Sequence, residues 1–141
     1  MSAEAIILFA HGARDPQWAA PFVAIQRRLQ AARPDALVLA AYQEFMAPTL
    51  AAAVAQSAAQ GARRVVVVPL FIGQGSHVKR DLPLLLEQER LRHPQLELQV
   101  LPAIGEAPEV LQAIADWILG SAAARGNDQG SGQGRDQGDQ T

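Results

Sequence analysis

Short apolar runs alternate with helical patterns along this chain, and that alternation limits the fold more than any other feature. Residues 5–10 read AIILFA, and residues 64–70 contain four consecutive valines. A strand with no alternation between polar and apolar residues is covered on both faces. Such strands belong to parallel sheets that helices cover from both sides.

The order of these segments indicates a strand followed by a helix, four times over. We predict strands at 5–10, 37–42, 64–70 and 96–101, and helices at 22–32, 48–60, 83–92 and 107–119. Helical crossovers between buried strands imply a parallel sheet. The predicted fold class is therefore α/β, a three-layer sandwich with a four-stranded parallel sheet and helices on both faces.

The composition excludes several classes of site. The 141 residues include no cysteine, which excludes disulfides, cysteine-based zinc or iron–sulfur sites and a thiol nucleophile. The formal net charge of −2 argues against a nucleic-acid partner. No segment has the roughly 20 apolar residues of a membrane helix. The N-terminal residues lack the pattern of a signal peptide, so we expect no membrane partner and a cytoplasmic location.

The domain boundary is predicted near residue 120. Residues 126–141 contain no aliphatic or aromatic side chain. Such a segment cannot bury enough apolar surface to offset its loss of conformational entropy. We predict an α/β domain over 1–120 and a disordered tail rich in Gly, Gln and Asp over 121–141.

Two of the three histidines follow strands at the carboxyl edge of the predicted sheet. Ligands bind at this edge in open parallel sheets. His11 follows the first strand, and His77 follows the third strand and the segment GQGS. Clustered imidazoles would let a protein without cysteine handle a transition metal, although each ring could instead have a purely local role in its loop. His93 is predicted at the opposite edge, as a solvated residue at a helix end.

Charged residues accompany these histidines. Glu44 follows the second strand, where it could act as a base, bind a hard metal or pair with a cation at the edge. Arg14, Lys79 and Arg80 flank the histidine segments and suit an anionic ligand, or are ordinary surface charge. The segment 73–76 lacks the GK[ST] ending of a P-loop, so nucleotide binding has no support.

Four motifs together give the chain a family resemblance. They are HGARDP at 11–16, YQEFMAPTL at 42–50, GARRVVVVPLFIGQGSHVKRDLP at 61–83 and AIGEAPEV at 103–110. With these spacings the chain resembles the small-form sirohydrochlorin chelatase (cobaltochelatase) family, chelatases of class II, from Ile6 to about Leu119. Ala13 departs from the serine usual in the first motif. Ala47 replaces an acidic residue often found before Pro48, which removes a secondary metal contact.

The resemblance implies a chelatase-like, flavodoxin-like fold and insertion of a divalent ion into sirohydrochlorin. Co²⁺ is the first expectation and Fe²⁺ or Ni²⁺ the alternatives, in cobalamin or siroheme biosynthesis. The metal is a substrate, and no permanently bound cofactor is expected. The resemblance also implies one half of a two-lobed chelatase, acting as a homodimer.

The same resemblance assigns roles to single residues. It implies that His11 and His77 bind the metal and act as catalytic imidazoles. Glu44 is a catalytic residue that would orient an imidazole or relay a proton. For anchoring the carboxylates of the substrate we predict Arg14, Gly73, Gly75, Ser76, Lys79 and Arg80, with backbone amides contributing in the 73–76 segment.

Two other functions remain open at this point. The HG pair at 11–12 also begins phosphohistidine phosphatase and mutase sites, although no arginine directly precedes His11. A tetrapyrrole or metal carrier without catalysis could use the same scaffold, because a fold does not fix an activity.

Overall fold

The computed structural model describes residues 3–73 and 75–132, without the side chains of 76, 77 and 127–132. Its strands are β1 (Glu4–Ala10), β2 (Leu37–Tyr42), β3 (Arg64–Pro69) and β4 (Glu97–Val100). Its helices are α1 (Ala20–Ala32), α2 (Leu50–Ala59), α3 (Ser76–Arg92) and α4 (Pro108–Gly132). Two short 3₁₀ turns, Pro16–Ala19 and Ile104–Glu106, precede α1 and α4.

The four strands form one parallel sheet in the order β2-β1-β3-β4. In this register Ala10 at the end of β1 pairs with Tyr42 at the end of β2. On its other side, Phe9 pairs with Pro69 at the end of β3. The residues that follow β1, β2 and β3 therefore emerge side by side at the carboxyl edge. The predicted α/β class with a four-stranded parallel sheet is confirmed.

Helices cover both faces of the sheet because each central strand is apolar on both faces. On one face the core includes Ile7 and Phe9 of β1, Val54 of α2, and Leu82 and Leu86 of α3. On the other face, Ala10 and Tyr42 pack with Trp18, Phe22 and Val23, which lie in the 3₁₀ turn and α1. This gives the predicted three layers.

Polar side chains begin two of the helical segments at the carboxyl edge. The Asp15 carboxylate accepts a hydrogen bond from the Gln17 backbone N–H at 2.9 Å and caps the 3₁₀ turn. The Thr49 hydroxyl accepts one from the Ala52 N–H at 3.2 Å and caps α2. Such caps satisfy backbone donors that have no partner within the helix. They also fix where the loops after β1 and β2 must end.

Helix α3 begins earlier than the sequence pattern predicts. The amphipathic pattern predicts a helix that starts at residue 83. The structure instead starts the helix at Ser76, with Gly75 as its N-cap and Pro83 in its interior. The backbone of His77 therefore lies in the first turn of α3, directly after the carboxyl end of β3.

The chain divides after Glu106 into two compact units, and α4 belongs to the second. The predicted helix at 107–119 is present, but it continues to Gly132. Three consecutive alanines at 122–124 favour this extension, since alanine has the highest helix propensity. Residues 133–141 of the predicted tail lie outside the described residues, and the division into a 1–120 domain and a disordered tail stays a prediction.

Candidate functional site

His11 directly follows β1, and its imidazole contacts a buried aromatic side chain. The centroid of its ring lies 4.3 Å from that of Phe71, which follows β3. Phe71 is only 1% exposed and contacts the ring of Phe9 edge-on, with 5.7 Å between the centroids. One side of the imidazole therefore rests on the hydrophobic core, while the residue as a whole remains exposed at the edge.

A second contact fixes the orientation of the His11 ring. Its Nδ1 lies 3.2 Å from Oε1 of Gln43, which follows β2. In the tautomer that suits this contact, Nδ1 carries the proton and donates it to the amide oxygen. The lone pair of Nε2 is then free to bind a metal ion or accept a proton. Gln43 was not among the residues predicted from the sequence, where nothing marked it beyond its place after β2.

Glu44 is joined to His11 through the backbone. Its N–H donates to the His11 carbonyl at 3.0 Å, and its own carbonyl accepts from Met46 at 2.8 Å. Its carboxylate is exposed and makes no hydrogen bond or ion pair with another residue in the described parts of the chain. The side chain that orients His11 is thus that of Gln43, and the catalytic role of Glu44 stays a prediction.

Gly12 allows the loops after β1 and β2 to touch. Its φ is +86°, a conformation that residues with a Cβ rarely adopt. A Cβ at this position would overlap the carbonyl oxygen of Glu44. Glycine is required here by a neighbouring loop of the protein itself.

Gly73 and Gly75 have different surroundings from Gly12. A Cβ added at either position would meet no atom of the described residues within 4 Å, and neither has a positive φ. The fold therefore does not require glycine at these two positions. The open space beside them is compatible with a ligand that approaches the backbone closely.

Several cations at this edge are free of ion pairs with the residues that the structure describes. Arg14, Lys79 and Arg80 are exposed, and none of them contacts a described carboxylate. Lys79 also lines a groove of about 290 Å³ between α3 and the segment after β4, together with Leu101 and Glu106. Their predicted role in anchoring an anionic ligand stays a prediction.

The opposite edge of the sheet holds the ion pairs. Glu4 contacts Arg64 at 3.3 Å, and Arg33 contacts Asp35 at 3.2 Å. Hydrogen bonding from Arg33 lowers the pKa of Asp35. His93 lies at this end of α3 and is not fully solvated, because its side chain is only 20% exposed and its Nε2 lies 3.8 Å from Oε2 of the buried Glu89.

The predicted metal pair is described only in part. The side chains of Ser76 and His77 lie outside the described residues, so the shared site of His11 and His77 stays a prediction. Within residues 3–73 and 75–132, no three His, Asp or Glu side chains form a metal-binding group. In the same part of the chain, no helix is both long and apolar enough to cross a membrane.

Comparison with known proteins decides the family. The family model described as CbiX matches residues 5–119, from β1 into α4. The chain belongs to the CbiX family. A curated relative, the sirohydrochlorin cobaltochelatase of Saccharolobus islandicus strain L.S.2.15, is 33% identical over 102 residues, which cover 70% of this chain and 78% of the relative. The predicted family is thereby confirmed.

Two solved structures show the same CbiX-type fold. A protein named for cobalamin (vitamin B12) biosynthesis, CbiX from Marinobacter aquaeolei, superposes with a TM-score of 0.74 at 29% identity. The match covers 86% of this chain and 98% of that one. The sirohydrochlorin chelatase SirB from Bacillus subtilis subspecies spizizenii, in complex with cobalt, gives a TM-score of 0.64 at 27% identity. That match covers 82% of this chain and 49% of SirB.

Gly12→Ala tests whether the touching loops stabilise the CbiX fold. We expect it to lower the free energy of unfolding by about 1–3 kcal/mol, since alanine disfavours a positive φ and its Cβ would displace Glu44. Urea unfolding followed by circular dichroism measures the change.

Gly73→Ala is the matched control, because its Cβ would enter open space. We expect its free energy of unfolding to change by less than about 0.5 kcal/mol. Equal destabilisation by both substitutions would contradict the account of Gly12.

Proposed function

We propose that this CbiX family member is a metal chelatase that inserts a divalent ion into sirohydrochlorin. The observation that carries this proposal is the contact of His11 Nδ1 with Gln43 at the carboxyl edge, which in the Nδ1-protonated tautomer leaves Nε2 without a partner among the described residues. The Saccharolobus relative is a sirohydrochlorin cobaltochelatase, and the SirB structure is that of a sirohydrochlorin chelatase in complex with cobalt. The site offers the imidazole and the cations that such a reaction needs.

The reaction has a simple proton balance. The macrocycle loses two pyrrole protons, and one M²⁺ takes their place among the four ring nitrogens. A neutral imidazole can hold the ion first and accept a proton later, because the same Nε2 lone pair serves both purposes in turn. As the metal passes from His11 to the ring, Nε2 becomes free to take one proton. His77 takes the second proton in this proposal.

Gln43 supports the protonation of His11 after the metal leaves. Its Oε1 accepts from Nδ1 at 3.2 Å and stabilises the positive charge that His11 gains when Nε2 is protonated. Phe71 packs against one side of the His11 ring. The imidazole therefore does not need to reorient between binding the metal and accepting the proton. In this proposal Glu44, next to Gln43, relays a proton to water.

The substrate carries several carboxylates, and the unpaired cations of this edge would anchor them. Arg14 lies beside the His11 loop, and Lys79 and Arg80 lie on the first turns of α3. The backbone amides of Gly73, Gly75 and Ser76 are further donors for these carboxylates. Charge-assisted hydrogen bonds of this kind fix the orientation of the macrocycle over the metal.

We propose Co²⁺ as the metal, within cobalamin biosynthesis. The second candidate is Fe²⁺, in the formation of siroheme. Imidazole binds Co²⁺, Ni²⁺ and Fe²⁺, so the nitrogen ligands alone do not select among them. The name of the Saccharolobus relative favours cobalt. The metal is consumed as a substrate, and the chemistry requires no resident cofactor. The cytoplasmic location stays a prediction from the sequence.

A homodimer is the proposed assembly. The match to SirB covers 49% of that chain, so a second copy would supply a second domain of similar size. Helix α4 presents large apolar side chains to solvent, including Trp117 at 72% exposed. With Val110, Ala113 and Ile114, Trp117 lines a groove of about 420 Å³. Apolar surface of this kind marks an interaction site.

Anaerobic insertion kinetics with sirohydrochlorin and Co²⁺, Ni²⁺ or Fe²⁺ test the function. We expect a catalytic shift of the visible absorption spectrum, fastest with Co²⁺. His11→Ala should lower the insertion rate by at least about 100-fold, because it removes both the metal ligand and the base. The affinity for metal-free sirohydrochlorin should change little.

His93→Ala is the control for the loss of an imidazole, since His93 lies at the other edge of the sheet. We expect it to insert metal at the wild-type rate. Binding of sirohydrochlorin without turnover by the wild-type protein would favour the carrier, and near wild-type insertion by His11→Ala would contradict the role of His11.

Trp117→Glu tests the dimer. Light scattering after gel filtration should give the wild type a mass of twice 15.1 kDa, and the variant a mass closer to one chain. A charge in the centre of an apolar interface weakens association. Leu91→Glu is the control, because Leu91 is similarly exposed, at 75%, but lies on α3. A wild-type protein that elutes as a single chain would rule the dimer out.

A further inference from the structure

Phe45 is an exposed aromatic residue at the carboxyl edge, and its backbone is strained. Its side chain is 58% exposed, and its φ is +66°. Bulky residues with a Cβ rarely adopt this left-handed conformation, which asparagine or glycine would adopt more readily. Neither burial nor local backbone preference therefore accounts for a phenylalanine at this position. Strain of this kind, when the surroundings enforce it, points to a function.

Backbone hydrogen bonds join the loop that carries Phe45 to the end of β1 and to His11. The Gln43 N–H donates to the Ala10 carbonyl at 2.9 Å, and the Glu44 N–H donates to the His11 carbonyl at 3.0 Å. Gly12 allows this approach because it has no Cβ. Phe45 is consequently fixed two residues after Gln43, the residue that orients the His11 ring.

A cation already occupies one side of the Phe45 ring. The guanidinium carbon of Arg14 lies 5.0 Å from the ring centroid, within the range of a cation–π interaction. This contact places a positive charge next to the ring. Phe45 and Arg14 together form a flat apolar surface bordered by a cation.

This combination matches one kind of ligand. A conjugated macrocycle with carboxylates at its periphery can stack on the exposed side of the ring and place a carboxylate against the guanidinium. We propose that Phe45 is a substrate-positioning residue: its ring stacks on the macrocycle beside His11, and Arg14 contacts a carboxylate at the rim of the same molecule. This inference rests on the proposed chelatase function and adds the residue that sets the plane of the substrate.

Phe45→Gly separates a role in binding from a role in folding. Glycine adopts a positive φ without strain, so the variant should unfold at an equal or higher urea concentration than the wild type. Without the ring, the dissociation constant for metal-free sirohydrochlorin should rise about 10-fold, measured by absorbance titration. The KM for sirohydrochlorin should rise to a similar extent, while kcat at saturating substrate and Co²⁺ affinity change little.

Phe45→Trp supplies the rescue, since indole also stacks and should keep the dissociation constant near that of the wild type. Leu91→Ala, on α3, removes an exposed apolar side chain away from this edge and should have no effect on binding. If the wild type inserts metal and Phe45→Gly binds sirohydrochlorin with unchanged affinity, the role of Phe45 is overturned and the proposed function is not. Absence of both binding and insertion in the wild type would instead overturn the proposed function, and this inference with it.

Discussion

The position of β1 between β2 and β3 determines the rest of the candidate site. Hydrogen bonds on both edges of β1 fix its register against its neighbours, so that Ala10 pairs with Tyr42 and Phe9 with Pro69. The residues that follow these pairs are consequently neighbours in space although they are distant in sequence. His11 gains Gln43 from one side and Phe71 from the other through this register alone. A shift of one residue would exchange the faces of the strand and separate the three side chains.

The two edges of the sheet use their charges differently. At the amino edge, carboxylates and guanidinium groups pair with one another, as Glu4 does with Arg64. At the carboxyl edge, Arg14 contacts an aromatic ring, and Lys79 and Arg80 contact no described carboxylate. Arg14, Lys79 and Arg80 are thus free of ion pairs with described residues at an edge where the carboxylates of Asp15, Glu44, Asp81 and Glu106 also lie. These unpaired cations are the groups that the proposed anionic macrocycle would contact.

Much of the fold followed from the sequence because buried parallel strands have a strong pattern. The four strands, their βα order and the CbiX-type family were all predicted and are confirmed. The predicted start of α3 was wrong. Pro83 resembles a first-turn proline, and nothing local shows that the helix already begins at Ser76. The solvated character expected for His93 was also wrong, since the buried carboxylate of Glu89 comes from one turn earlier in the same helix.

The details of the site were harder to predict because they depend on contacts between loops. Glycine is needed at position 12 because the carbonyl of Glu44 lies against it. Glu44 was expected to orient an imidazole or relay a proton, and the side chain in contact with the His11 ring is that of Gln43. Both outcomes follow from the pairing of β1 with β2, which periodicity along a single strand does not reveal. The strained backbone of Phe45 likewise becomes visible only once the β2–α2 loop is in place.

The proposed function includes the prediction that the imidazoles of His11 and His77 bind the same metal ion. Calorimetric titration of Co²⁺ into the wild type, His11→Ala, His77→Ala and the double variant tests it most directly, with His93→Ala as the control. If one ion is shared, each single substitution removes most of the affinity and the second adds little, so the free-energy changes are strongly non-additive. Additive losses, or unchanged Co²⁺ affinity in His77→Ala, would contradict the claim.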